Sequence, residues 1–234
     1  MTLRPALCGC LTDVPAEKLR DLLYHPEVDI LEWRLDVFSR RYGWEVTLAA
    51  LPVLSTFPRH PIVATNRPKR EGGTFEGTED LRFEILERAI AAGAEWVDLE
   101  DWVEEGRVHG FRSQSASLLL SHHDFSATPD RKTLQRLAED MARKNPEAIK
   151  IVTYARTPED GLRVLELIPF GSRELGMKVL AFAMGPLGRW SRLVSLLLGS
   201  PWTYVQLSEL SMAAEGQFTA PEMRALLQQL MSRY

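Results

Sequence analysis

Short runs of apolar and β-branched residues recur along the whole chain at nearly regular intervals. Eight such runs are typical of buried strands, and their centres lie roughly 22–34 residues apart, close to the length of a strand–helix–strand unit. The predicted strands are Pro5–Leu11, Ile30–Asp36, Pro61–Arg67, Trp96–Glu100, Ser117–Asp124, Ala148–Ala155, Val179–Gly185 and Trp202–Leu207.

The segments between these runs carry helix signals. The segment Glu79–Ala92 places its apolar side chains on one face, follows a suitable N-cap at Thr78 and ends before a glycine. The segment Asp101–Ala116 is the exception, because its polar, glycine-containing sequence predicts a loop or a small hairpin instead of a helix.

Eight strands alternating with helices favour a closed (β/α)8 barrel, a TIM barrel, formed as a single domain by residues 1–234. An open, doubly wound sheet is the alternative. Such a sheet should carry a glycine-rich turn after its first strand, and the sequence Leu11-Thr-Asp-Val-Pro does not supply one. In a barrel, the active site lies at the C-terminal ends of the strands, so polar side chains at those ends are the candidates for function.

Composition narrows the class of protein further. The chain is 45% hydrophobic and 26% charged with a formal net charge of −4, which is ordinary for a globular protein and provides no electrostatic reason to expect nucleic acid or an anionic membrane as partner. Apolar runs stay far below the ~20 residues that span a bilayer. The two cysteines, Cys8 and Cys10, lie too far apart on a strand to bridge easily, which favours a reduced, cytoplasmic setting.

Two strand ends bring charged residues together. Glu32, Arg34 and Asp36 alternate along the second strand and share one face, which we expect to look into the barrel; a solvated face on an edge strand is the alternative. The third strand ends at Arg67 and leads into a loop with two glycines, which could aim Glu71 into the barrel mouth.

The next two strands end in further titratable groups. Asp98 and Glu100 share a face, which fits either structural pairing or catalysis. His122 and His123 are adjacent and must face opposite ways, so at most one points inward, where it would be either a proton carrier or a structural residue. Metal binding is disfavoured because no second His or Cys sits at ligand spacing.

Lys150 is the most informative single residue. It lies between two isoleucines in the middle of the sixth strand, although lysine is rarely fully buried. Burial favours the neutral amine, which is the form that attacks a carbonyl group to make a Schiff base. A buried ion pair with Asp98 or Glu100 is the alternative interpretation.

Two later segments suggest ligand contacts. The turn that contains Gly185 and Gly188 leads into a helix beside Ser191 and Arg192, an arrangement that suits a phosphate or a carboxylate. The stretch Ser211–Gln217 is rich in small residues and predicts a mobile lid.

Taken in order, these residues resemble the type I 3-dehydroquinate dehydratases, or dehydroquinases, of the shikimate pathway. No single motif is decisive, but the ordered set is highly specific and spans nearly the whole chain. The matching motifs are Glu32-x-Arg34-x-Asp36, Arg67-x-x-x-Glu71-Gly72-Gly73, Asp98-x-Glu100, Ser121-x-His123-Asp124-Phe125-x-x-Thr128-Pro129, Lys150, Phe182-Ala183-Met184-Gly185-x-x-Gly188-x-x-Ser191-Arg192 and Gly216-Gln217.

The resemblance implies a (β/α)8 barrel, usually a homodimer, that uses no metal and no cofactor and converts 3-dehydroquinate to 3-dehydroshikimate and water. It implies that Lys150 forms the Schiff base with the C3 ketone, that His123 is the general acid and base, and that Glu71 orients His123. The substrate-binding residues implied in the same way are Glu32, Arg34, Arg67, Met184, Arg192, Tyr204, Ala213 and Gln217.

The last loop departs from the family pattern, which usually reads Ser-Ala-Pro-Gly-Gln. Here it reads Ala213-Ala214-Glu215-Gly216-Gln217, so a hydroxyl and a stiffening proline are missing and an acid is added. Two other hypotheses stay open from the residues alone. One is another Schiff-base barrel, such as an aldolase, which would also need Lys150; the other is a non-catalytic barrel that binds a small acid or a partner protein.

Overall fold

A computed structural model of the chain describes residues 5–12, 15, 18–22, 24–56, 60–112, 114–207 and 216–231. Its eight strands pair in parallel in the order β7-β6-β5-β4-β3-β2-β1-β8 and form a nearly closed barrel. The predicted fold class is thereby confirmed. The strands are Ala6–Leu11 (β1), Ile30–Arg34 (β2), Ile62–Thr65 (β3), Trp96–Glu100 (β4), Ser117–His123 (β5), Ala148–Tyr154 (β6), Lys178–Met184 (β7) and Trp202–Gln206 (β8).

Helices follow the strands and cover the outside of the barrel. Between β3 and the next helix lies a short 3-10 turn, Lys69–Glu71, and before β7 lies a π-helical turn, Gly171–Leu175. The α-helices are Leu19–Leu22 (α1), Leu35–Tyr42 (α2), Trp44–Ala50 (α3), Val53–Thr56 (α4), Glu79–Ala91 (α5), Glu105–Arg112 (α6), Arg131–Arg143 (α7), Pro158–Leu165 (α8), Leu167–Phe170 (α9), Ser191–Leu197 (α10) and Ala220–Met231 (α11).

The prediction of a loop or hairpin over Asp101–Ala116 is wrong, because this segment contains α6. Val108 and Phe111 are three residues apart, so they fall on one face of the helix, and both are buried. The Phe111 ring packs edge-on against Phe83 with 5.8 Å between the ring centroids. Tertiary packing therefore outweighs the poor intrinsic helix propensity of this segment.

The strands separate two apolar layers. The outward side chains of the strands pack against the helices and form the larger core. The inward side chains fill the barrel, where Trp96 and Trp202 meet near the N-terminal ends of their strands with 5.2 Å between ring centroids. The N-terminal part of the barrel interior is thus filled by apolar side chains. The polar inward side chains of the strands lie at the opposite, C-terminal end. None of the described helices is long and apolar enough to cross a bilayer.

Candidate active site

An open cavity lies at the C-terminal ends of the strands, where a barrel is expected to carry its active site. Ala213 lies outside the described residues, and every other predicted site residue lines this cavity. Those residues are Glu32, Arg34, Arg67, Glu71, His123, Lys150, Met184, Arg192, Tyr204 and Gln217.

Lys150 points into the barrel from β6, and its side chain is only 5% exposed. Its Nζ lies 2.5 Å from Oδ2 of Asp98 and 4.8 Å from the centroid of the Tyr204 ring. The two interpretations of Lys150 are therefore not exclusive. Its side chain faces the cavity, and it also forms a buried ion pair with Asp98. The apolar and aromatic walls beside it come from Val152, Phe182 and Tyr204.

Asp98 is held by more than the lysine. Its Oδ1 accepts hydrogen bonds from Arg67 Nη2 and from the Ser121 hydroxyl, each at 2.6 Å. Burial alone would raise the pKa of Asp98, but Arg67 and Lys150 outweigh it and lower that pKa to about 2. The other side of the Arg67 guanidinium donates to Glu100 Oε1 at 2.6 Å. Both Nη atoms of Arg67 therefore contact buried partners in the barrel wall, and its side chain also lines the cavity in which it is expected to bind substrate hydroxyls.

His123 and Glu71 meet as predicted. The Nδ1 atom of His123 lies 3.2 Å from Glu71 Oε2, and Trp102 Nε1 donates to Glu71 Oε1 at 3.1 Å. Burial, together with the positive charges of Arg67 and Lys150, holds the pKa of His123 well below 6.5. A neutral ring that donates its Nδ1 proton to a carboxylate keeps the lone pair of Nε2 free, which is the form a general base requires.

The two adjacent histidines face opposite ways. His122 points away from the cavity and lies 3.1 Å from Asp101 Oδ2. Burial would lower the pKa of His122, but the hydrogen bond and charge of Asp101 outweigh it and raise that pKa. Neighbours on one strand therefore have opposite pKa shifts because they have different partners.

The two glycines after Glu71 are required by the backbone. Gly72 has a φ of +73°, in the left-handed region that favours glycine. A Cβ atom on Gly73 would lie 2.0 Å from the Arg67 carbonyl oxygen, so no side chain fits there. This tight return places Glu71 beside the end of β5.

At the C-terminal end of β2, Glu32 and Arg34 line the cavity, whereas Asp36 lies outside it. The strand stops at Arg34, and Asp36 lies in the first turn of α2, where it does not line the cavity. The expectation that Asp36 looks inward with Glu32 and Arg34 is wrong, because the backbone changes from strand to helix between them. Asp36 instead accepts two hydrogen bonds from Arg34, at 2.8 and 2.9 Å, and one from the Thr74 backbone at 2.9 Å.

Arg192 differs from the paired arginines Arg34 and Arg67 in its hydrogen bonding. It is 1% exposed, and its Nε and Nη1 atoms have no hydrogen-bond partner in the part of the chain that the structure describes. Its guanidinium carbon lies 4.4 Å from the Phe182 ring centroid. Burial lowers the pKa of Arg192 to about 10, which is the expected sign of a buried cation that lacks an anion.

Gln217 closes the cavity on the same side and lies 3.7 Å, measured from Nε2, from the Cys10 sulfur. Gly216 and Gln217 are described, whereas the predicted lid residues 211–215 lie outside the described residues. No group of three or more His, Cys, Asp or Glu side chains in the described ranges has the arrangement of a metal site.

Some residues of the site were not found from the sequence. Trp102 was missed because a single tryptophan after a strand carries no signal that it turns back onto a distant glutamate. The sequence raises only the question of whether Cys10 pairs with Cys8, yet the Cys10 thiol lines the cavity, and burial raises its pKa well above the usual range. Phe125, which stacks on His123 with 6.0 Å between ring centroids, stood in a motif but was assigned no role.

Comparison with known proteins agrees with this geometry. The family model for type I 3-dehydroquinase matches residues 8–233. The 3-dehydroquinate dehydratase of Syntrophobacter fumaroxidans is 47% identical over 222 residues, covering 95% of this chain and 95% of that protein. The protein of the same name from Methanopyrus kandleri is 37% identical over 202 residues, covering 86% and 87%.

A solved structure gives the same result for the fold. The crystal structure of 3-dehydroquinate dehydratase from Geobacillus kaustophilus superposes with a TM-score of 0.87 at 26% identity, covering 98% of this chain and 92% of that one. The family match extends over almost all of the sequence that builds the barrel and its mouth. The chain therefore belongs to the type I 3-dehydroquinase family.

Proposed function

We propose that this protein is a hydro-lyase that converts 3-dehydroquinate to 3-dehydroshikimate and water through a Schiff base on Lys150. The observation that carries the proposal is one cavity holding a buried lysine, a histidine paired with a carboxylate, and an arginine that has no anionic partner among the described residues. The family of the chain supports the same substrate, since its curated relatives are named 3-dehydroquinate dehydratase.

The reaction begins at Lys150. Its neutral amine adds to the C3 ketone, and loss of water from the adduct gives an iminium ion. The positive nitrogen draws electrons from the neighbouring C2–H bond, so that proton becomes acidic enough for an imidazole to remove. The electron pair left at C2 forms an enamine, which then expels the C1 hydroxyl.

His123 is suited to both proton transfers. The neutral ring accepts the C2 proton at Nε2 while Nδ1 stays bound to Glu71, and the imidazolium so formed protonates the departing hydroxyl. Water finally hydrolyses the product iminium and returns the amine of Lys150. The sum of these steps is the loss of one water molecule from the substrate.

The remaining cavity residues bind and orient the substrate. Arg192 would bind the substrate carboxylate, because its Nε and Nη1 atoms, which have no partner within the described ranges, can form charge-assisted hydrogen bonds to an anion. Glu32 and Arg34 offer an acceptor and donors to the ring hydroxyls, and Met184 and Tyr204 form the walls. Gln217 and Ala213 belong to the loop that we expect to cover the substrate.

The proposal also includes a homodimer, a cytoplasmic location, a single domain over residues 1–234, and chemistry without metal or cofactor. Light scattering of the purified protein tests the homodimer directly. Activity after dialysis against a chelator tests the independence from metal ions.

Borohydride trapping tests the reaction itself. The protein is mixed with 3-dehydroquinate and borohydride, and its intact mass and Lys150 peptide are measured. We expect a stable adduct on Lys150 and, without reductant, the absorbance of the conjugated enone product. Lys150→Ala should abolish both, whereas the matched control Lys178→Ala, at an exposed position on β7, should retain both.

His123→Ala separates imine formation from proton transfer. This variant should still be trapped by borohydride, but its turnover should fall by roughly 10²–10⁴-fold because the general base is lost. A folded protein that gives no adduct with 3-dehydroquinate would refute the proposed function. An adduct that releases a product of carbon–carbon cleavage would instead identify an aldolase.

A further inference from the structure

Arg82 is a buried cation that lies outside the cavity, on the face of α5 that packs against the barrel. Its side chain is 0% exposed, and its Nη1 lies 2.6 Å from Oε2 of Glu100, which is also fully buried. The same guanidinium donates to Glu79 at 2.8 Å, and Glu79 is 43% exposed. A buried arginine at this position has no role in the mechanism derived so far.

A continuous series of ion pairs joins Arg82 to the reactive lysine. Glu100 Oε1 accepts from Arg67 at 2.6 Å, and Arg67 donates to Asp98 Oδ1 at 2.6 Å. Asp98 Oδ2 then accepts from Lys150 Nζ at 2.5 Å. Every side chain of this series is at most 5% exposed, so water screens the charges little.

The charges of this series balance in only one protonation state of the lysine. Asp98 and Glu100 contribute two negative charges, and Arg67 and Arg82 contribute two positive charges. The buried network is therefore neutral when the amine of Lys150 is neutral. Without Arg82 the same network carries one negative charge, which protonation of Lys150 would balance.

We propose that Arg82 is a positioning residue for the Schiff-base chemistry, and that its charge favours the neutral, nucleophilic amine of Lys150. The inference rests on the proposed function, because it assigns a purpose to the lysine's protonation state. Arg82 does not touch the substrate cavity; it acts through Glu100, Arg67 and Asp98. Arg82 also attracts the Glu100 carboxylate, which in turn pairs with Arg67.

Other groups that face Lys150 are the same in every variant considered. Cys8, Cys10 and Tyr204 stay uncharged near neutral pH because burial raises the pKa of each group. Around Arg82, Glu79 is exposed and also lies 3.7 Å from Arg70, so solvent and a second cation weaken its effect. The remaining charged or titratable groups in the cavity are Glu32, Arg34, Glu71, His123 and Arg192.

Glu100 is the competing site for a proton when Arg82 is removed. Burial raises the pKa of Glu100, while Arg67 and Arg82 oppose that rise. If Glu100 took up the proton instead of Lys150, the lysine would not respond to the loss of Arg82. The proposal requires Glu100 to stay ionised through its 2.6 Å contact with Arg67.

Competitive acetylation measures the response without any substrate. The protein is labelled with a trace of acetic anhydride over a series of pH values, and acetylation of the Lys150 peptide is measured by mass spectrometry relative to exposed Lys178. We expect Arg82→Met to move the midpoint for Lys150 to higher pH by about one unit, which lowers its labelling about tenfold at a fixed pH below the midpoint. Arg82→Lys keeps the charge and should leave the midpoint near that of the parent protein.

Two further variants separate this effect from a loss of structure. Arg88→Met removes the same charge from the same helix, but Arg88 is 55% exposed and pairs with Glu84 at the surface, so the midpoint should not move. Glu100→Gln keeps the side-chain shape and leaves the network one positive charge in excess, so the midpoint should move to lower pH. This isosteric variant also decides the question if Arg82→Met does not fold.

Opposite shifts in Arg82→Met and Glu100→Gln would support the inference. Midpoints equal to that of the parent, or shifts in the same direction, would overturn it, because general loosening of the fold does not change sign with the charge removed. Failure of the proposed function has a different signature. In that case the parent protein gives no borohydride adduct with 3-dehydroquinate, while the acetylation midpoints still report on the network.

Discussion

Two buried arginines face the cavity from opposite sides of the barrel and are held in opposite ways. Arg67 follows β3 and donates hydrogen bonds to Asp98, Glu100 and Ser121, all within 2.8 Å. Arg192 lies in the first turn of α10 after β7, and its Nε and Nη1 atoms have no hydrogen-bond partner in the described part of the chain. Burial alone would lower the pKa of each; the carboxylates around Arg67 reverse this, whereas the pKa of Arg192 falls to about 10.

This contrast shows how one residue type serves two purposes in one site. A buried cation with its anions in place belongs to the permanent structure of the wall. A buried cation without an anion is costly in the empty protein and gains most when a ligand supplies the anion. Under the proposed function, the paired charges between β3 and β6 hold the reacting groups, and Arg192 on the side of β7 and β8 takes the substrate carboxylate.

The largest expected effect comes from removing each arginine in the absence of substrate. Arg67→Met leaves two buried carboxylates short of a partner and should lower the free energy of unfolding by roughly 3–5 kcal/mol. Arg192→Met removes a buried cation that has no anionic partner in the described part of the barrel, so the variant should be at least as stable as the parent protein. Urea denaturation followed by circular dichroism measures both.

A matched pair of this kind needs no further control for size or hydrophobicity, because the same side chain is exchanged at both positions. Equal losses of stability in the two variants would contradict the comparison, since they would mean that Arg192 is as well paired as Arg67.

The second effect concerns catalysis, where Arg192 rather than Arg67 is the arginine expected to hold the substrate carboxylate. If Arg192 holds the substrate carboxylate, Arg192→Met loses charge-assisted hydrogen bonds worth about 1.5–3 kcal/mol, so kcat/KM should fall about 10- to 150-fold. Most of the loss should appear in KM, because the carboxylate is bound in the ground state as well as in the transition state. Steady-state kinetics with 3-dehydroquinate measures the two parameters.

Arg192→Lys is the informative companion, because it keeps the charge and loses the forked geometry of the guanidinium. It should recover part of the loss in KM. A variant in which kcat falls and KM stays unchanged would place Arg192 in the chemical step instead of in carboxylate binding.

The sequence predicted the barrel well because its information is local: alternation marks each strand, and caps and glycines mark most helices. It also found the cavity, because one topological rule collects the C-terminal ends of all strands in one place. It left open whether Asp98 or Glu100 pairs with Lys150, and it did not say which anions Arg67 and Arg82 contact. Thr65 aligns with Asp98 across the β3–β4 ladder, and Ser121 aligns with Lys150 across the β5–β6 ladder. The sequence of a single strand does not determine its register with a neighbouring strand.

The contacts of Arg82 in a helix and of Trp102 in a loop could not be predicted from the sequence either. The inward rotation of α5 depends on its packing over the whole barrel, so an arginine in its first turn looks like an ordinary surface residue in the sequence. The return of Trp102 onto Glu71 depends on a loop conformation that involves two separate strand ends. Asp36 was placed on the wrong side because a strand was expected to continue for two residues beyond its actual end.

The smallest effect extends the comparison to the pH dependence of stability, because the cations on the Arg67 side of the cavity lower the pKa of His123. Burial, Arg67 and Lys150 hold the pKa of His123 well below 6.5 in the folded protein, whereas the unfolded chain takes up this proton near pH 6.5. Below that pH the unfolded state binds more protons than the native state. The free energy of unfolding should therefore fall as the pH is lowered below 6.5, with this residue contributing up to about 1.4 kcal/mol per pH unit.

His123→Asn should remove this contribution, so that unfolding curves measured from pH 7 to pH 5 change less steeply than those of the parent protein. His122→Asn is the matched variant on the same strand, and it should act in a different pH window. Because Asp101 raises the pKa of His122, the stability from that pair is complete below pH 6.5 and is lost as the pH rises through the raised value. A steeper acid dependence in His123→Asn than in the parent would show that His123 is charged in the native state, and would then leave the proposed reaction without its base.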